Sequence, residues 1–66
     1  MSEADAEDLV NARAKLVEER RACAKKIAGP YKRGETEDAR QRIVELQTVI
    51  DAIDRALEDE QRRGSI

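Results

Sequence analysis

The chain has no histidine, tryptophan or phenylalanine, and it holds one cysteine, one proline and one tyrosine among 66 residues. Each shortage removes a class of protein. A single cysteine cannot close a disulfide within the chain, and without histidine no four-ligand zinc site can be drawn from one protomer. A chain this nearly free of aromatic residues and proline, 42% charged against 39% hydrophobic, has the composition of long helices and not of a sheet protein or a disordered tail. No apolar run is long enough to span a bilayer, and the acidic start from Met1 to Asp8 lacks the basic, then apolar layout of a signal peptide. These absences predict a cytoplasmic protein with no membrane partner, and the lone Cys23 suits a reducing compartment. A net charge of −2 argues against general nucleic-acid binding. No motif assigns a catalytic residue, a metal ligand or a cofactor, so the reading is of a protein that is not an enzyme.

What is present is periodicity. Between Ala39 and Leu57 the apolar residues Ala39, Ile43, Leu46, Ile50, Ile53 and Leu57 step alternately by four and three, which sets them on one narrow stripe of a helix. Ile43, Ile50 and Leu57 share one heptad position and Ala39, Leu46 and Ile53 the other, a seam of coiled-coil type. Val44, Val49, Ala52 and Ala56 fall outside it.

Upstream, Ser2, Glu3 and Asp5 resemble a capping box, so a first helix is predicted over about 3–28. Its apolar residues Ala6, Leu9, Val10, Leu16, Val17, Cys23, Ala24 and Ile27 span a wider arc, able to touch two neighbours. Gly29 and Pro30 end that helix, with the glycine free to turn left-handed and Lys25 and Lys26 facing the last carbonyls. The turn over 29–35 is short enough to fold the chain back on itself. Thr36 is the favoured N-cap of a second helix over about 36–63, with Gly34 competing and Gly64, Ser65 and Ile66 fraying beyond. Along that helix Asp38 and Arg42, Asp51 and Arg55, Glu58 and Arg62, and Asp59 and Arg63 are spaced for i, i+4 ion pairs.

The predicted architecture is therefore all-α, a single antiparallel two-helix hairpin. Helices of this length run about 38 Å, and packed only on each other they would leave half of each apolar stripe in water. Two hairpins pairing into a four-helix bundle would cover it, with Leu9, Leu16, Ile27, Ile43, Leu46, Ile50, Ile53 and Leu57 as the shared seam. Folding at Lys32 also gathers Arg20, Arg21, Lys25, Lys26, Arg33, Arg40 and Arg42 near the turn, and Asp5, Glu7, Asp8, Asp54, Glu58, Asp59 and Glu60 near the open end. Two such dipoles attract when antiparallel, which favours a dimer with its turns at opposite ends.

Arg13 and Arg20 interrupt the apolar arc of the first helix. One reading lays each stem along the core and lets the guanidinium reach a flanking carboxylate or water: Asp51 or Asp54 for Arg13, Glu45 or Gln47 for Arg20. Another has the pair line a cavity that binds an anion, with Lys32 and Arg33 in the turn as further candidates for anion binding or specificity, and a third makes the pair a device for register or partner choice. Cys23 is read as a small packed hydrophobe, and Tyr31 as a cover over the end of the core.

The runs Glu19-Arg20-Arg21-Ala22-Cys23-Ala24 with Ile27, and Ile50-Asp51-Ala52-Ile53-Asp54-Arg55-Ala56-Leu57, resemble helix patterns of the all-helical chorismate mutases. There one long helix carries both patterns in the opposite order, an arginine stands where Gln47 follows Leu46, and a third helix is present. The resemblance implies an anion-binding Arg20 for substrate carboxylates. The reading from the residues themselves is a homodimeric interaction module, an adaptor or regulator that binds itself, with another protein as a further candidate partner. Its alternative is an anion or nucleic-acid binder using the basic turn.

Overall fold

The computed structural model describes residues 3 to 64, with side chains from Asp5 to Arg63. It contains two helices, α1 (Glu3–Ala28) and α2 (Glu35–Gly64), packed against each other as an antiparallel hairpin. Among the described residues there is no strand, and no helix is long and apolar enough to cross a membrane. The hairpin measures 51 × 15 × 14 Å, with a radius of gyration of 15.2 Å against about 11 Å for a compact domain of this length. Ser2, Ser65 and Ile66 lie outside the described residues, whereas Gly64, expected to fray, closes α2.

The end of α1 follows from Pro30. Proline has no N–H to continue the ladder and disfavours helical backbone in the residue before it, so the helix closes with the Gly29 N–H donating to the Lys25 carbonyl at 3.1 Å. The left-handed conformation expected at Gly29 is found instead at Gly34, whose φ is 88°. That position reverses the chain into α2, and glycine reaches it without a Cβ clash.

The N-cap is likewise Gly34 and not Thr36, because the Gly34 carbonyl accepts the Asp38 N–H at 2.9 Å. Thr36 lies within the first turn of α2 and is buried, at 3% exposure. Its N–H donates to the Lys32 carbonyl at 3.0 Å, and its Oγ1 accepts the Lys32 N–H at 2.9 Å. This reciprocal clasp satisfies a buried hydroxyl and ties the turn to the helix, a pairing of the kind worth about 1 kcal/mol per bond. Glu35, Glu37 and Asp38 in the same turn complement the positive end of the helix dipole.

The core is drawn almost wholly from α2. Ala39, Leu46 and Ile50 are its buried apolar residues, with Leu46 at 1% and Ile50 at 0% exposure. Burying each of the two large side chains stabilises the hairpin by about 1.5–3 kcal/mol. Ile43, Ile53 and Leu57 continue the seam toward both ends but are only half-buried. From α1 the facing residues Leu9, Leu16, Val17, Cys23 and Ile27 are all half-buried, and Val10 and Ala24, expected on the same covered face, are exposed. The physical reason is width: one neighbouring helix covers a stripe, while the apolar arc of α1 is broader than a stripe.

Candidate interaction surface

Two flanks run along the hairpin where the helices meet, and polar side chains treat them differently. On one flank, Arg13 Nε donates to Asp54 Oδ1 at 2.6 Å and its Nη2 to Oδ2 at 3.4 Å, a two-pronged ion pair from α1 to α2. Seven residues further along α1, Arg20 Nη1 donates to Gln47 Oε1 at 2.7 Å, and Gln47 Nε2 passes the chain on to Asp51 Oδ1 at 2.9 Å. Arg13 with Asp54 and Arg20 with Gln47 define one register, in which residue i of α1 stands level with residue 67 − i of α2.

Both arginines are half-buried: their stems lie on the apolar arc while the guanidinium groups reach side chains of α2. The hydrogen bond to Asp54, and secondly its negative charge, raise the Arg13 pKa above the ordinary guanidinium value, so the guanidinium keeps its charge. Arg20 donates to Gln47, a neutral partner. Lys32 and Arg33 lie exposed in the turn, at least 22 Å along the hairpin from Arg13 by the rise of about 1.5 Å per residue. The four cations are therefore spread along the hairpin, Arg13 and Arg20 in the ladder and Lys32 and Arg33 in the turn.

The opposite flank holds a shallow groove of about 370 Å³ in the half nearer the turn. Cys23 and Ala39 form its apolar floor, and Lys26, Asp38, Arg42 and Glu45 its rim. Arg42 reaches Glu19 on α1 at 3.4 Å and Glu45 on its own helix at 3.5 Å, in place of the expected partner Asp38. Of the other i, i+4 pairs, Asp59 and Arg63 meet at 3.5 Å. Cys23 is a half-buried free thiol.

At the turn, Lys25, Lys26 and Lys32 border a hollow of about 160 Å³, shared with Pro30, Glu35 and Thr36. Tyr31 does not cover the core as expected: it is 60% exposed, and its hydroxyl donates to the Glu37 carboxylate. That bond, and then burial, raise the tyrosine pKa against the opposing charge of Arg40. The hydroxyl so keeps its proton, and the contact persists until strongly alkaline pH.

Compared with known proteins, the chain matches no family model, no curated sequence and no solved structure. What remains to argue from is the surface itself. The arginine ladder was legible as a spacing of seven between Arg13 and Arg20, whereas the groove was not, because it arises from side chains of two helices brought level by the register.

Proposed function

We propose that this chain is a small self-associating helical hairpin that serves as an interaction module, an adaptor or regulator working through a homodimer. One observation carries the reading. The 7.5 kDa chain exposes 5255 Å², whereas a compact monomer of that mass exposes about 4200 Å². The excess, roughly 1000 Å², is close to the approximately 800 Å² that one partner contributes to a standard interface. The half-buried row along α1 is where such surface is available. A four-helix bundle is the arrangement in which two hairpins cover each other's stripes.

Sedimentation equilibrium across a concentration series tests this, with a dimer expected in the micromolar range. A folded monomer whose mass does not change with concentration would overturn it. The second reading, an anion or nucleic-acid binder, is favoured by the three lysines around the hollow at the turn. Glu35 shares that hollow and the net charge is negative, so it ranks below. The same sedimentation run with a labelled oligonucleotide at physiological salt separates the two, since phosphate binding would survive there only with several cations engaged.

A further inference from the structure

The flank that carries the arginine ladder also carries a second apolar row. Val10, Val17 and Ala24 repeat every seven residues on α1, each four residues beyond a side chain of the covered face: Ala6, Arg13 and Arg20. A step of four turns the helix by about 40°, so this row borders the ladder on the side away from the groove. Val10 is 54% exposed, Ala24 is exposed and Val17 is half-buried.

Charges flanking this row are arranged in opposed pairs. Residues eighteen apart on an α-helix lie on one line, five turns and about 27 Å apart. Arg40 and Glu58 stand in that relation on α2, with their midpoint at residue 49, and Glu7 and Lys25 on α1, with theirs at Leu16. The apolar row has its own midpoint at Val17. In the register set by Arg13 with Asp54 and Arg20 with Gln47, Val17 is level with Ile50. Three centres read from different residues thus fall within about two residues, some 3 Å along the hairpin, of one height. A two-fold axis at that height places every acidic member against a basic one.

We propose that the partner on this flank is a second copy of the chain, laid antiparallel with Val17 at the two-fold axis. Arg40 meets the partner's Glu58, and Lys25 meets the partner's Glu7. Val10 packs toward the partner's Ala24, and the Arg13, Asp54, Arg20 and Gln47 ladder lies between the four helices. Within each chain the ladder already joins Arg13 to Asp54 and Arg20, through Gln47, to Asp51, so these groups bring partners of their own into the interface. This arrangement rests on the self-association proposed above, and it adds which flank, which direction and which height.

A charge exchange tests it. Arg40→Glu and Glu58→Arg are each expected to weaken the dimer about tenfold, because each sets two like-charge contacts against each other across the two-fold. The double variant, and an equimolar mixture of the two single variants, are expected to recover association to within about threefold of wild type. The two positions are about 27 Å apart within one chain, so recovery can only arise between chains. Circular dichroism keeps the comparison to folded samples, and both positions are exposed. A Val17→Cys, Cys23→Ser chain should in addition cross-link to itself on oxidation, and a Val44→Cys, Cys23→Ser chain should not. A wild type that stays monomeric overturns both this arrangement and self-association. A dimer indifferent to both single exchanges, or weakened without recovery in the double variant, overturns this arrangement alone.

Discussion

Both helices carry an apolar face, and they bury it very differently. On α2, Ala39, Leu46 and Ile50 are sealed, and the seam residues around them lie along a single stripe. On α1, Leu9, Leu16, Val17, Cys23 and Ile27 remain half in water, and the positions between them that α2 would give to aliphatic residues hold Arg13 and Arg20. The difference teaches that burial in a hairpin is decided by the shape of the apolar pattern as much as by its amount. A narrow seam can be covered by one neighbour, and a broad arc needs two. α2 is therefore the helix that holds the hairpin together, and α1 is the helix whose apolar face the hairpin leaves partly uncovered.

The sharpest way to break this contrast is a charge at its centre. Ile50→Asp puts an unpaired carboxylate where exposure is 0% and is expected to cost about 3 kcal/mol or more, enough to unfold a domain this small. The adjacent Val49→Asp, at a site 45% exposed, is expected to change stability by less than about 1 kcal/mol. Chemical denaturation followed by circular dichroism reads both. Equal losses at the two positions would mean that Val49 is covered in solution and that the groove flank, not the ladder flank, is the docked one.

A milder pair compares the helices directly. Leu46→Ala should cost about 2–5 kcal/mol, as for a sealed core leucine. Leu16→Ala, which starts half in water, should cost roughly 1–2 kcal/mol, because part of the lost contact was never made. Denaturation midpoints at one protein concentration give the difference. Equal costs would erase the distinction between a sealed α2 and an open α1.

The smallest expected effect sharpens the comparison by making α1 resemble α2. Arg20→Met keeps the length of the stem, removes a charge from the apolar arc and leaves Gln47 free to hydrogen-bond water. The melting temperature is expected to be unchanged or higher, with no response to added phosphate or citrate. A fall of several degrees would show that the ladder is required for the hairpin itself. Stabilisation of wild type by those anions, lost in Arg20→Met, would return Arg20 to the role of an anion-binding residue.

Much of this was legible in the residues. The period of the seam, the stop at Gly29 and Pro30 and the short connection state a two-helix hairpin, because helix periodicity and the missing N–H of proline act locally. The candidate partners of Arg13 and Arg20 followed from folding the chain at its turn, and Asp54 and Gln47 were among them. The sequence favours Thr36 over Gly34 as the cap of α2, and the structure has Gly34. A threonine before acidic residues fits a cap as well as it fits a buried clasp, and only the placement of Lys32 above it distinguishes the two.

The sequence by itself determined the helices, their order and the face each turns inward, since these depend on neighbours within a turn or two along the chain. Only the tertiary structure decided that Leu46 and Ile50 are sealed while Leu16 stays half-exposed, that Arg13 chooses Asp54 over Asp51, and that Val17 stands level with Ile50. Those outcomes depend on the axial offset between two helices. That offset is set where side chains of both interlock, and no residue encodes it alone.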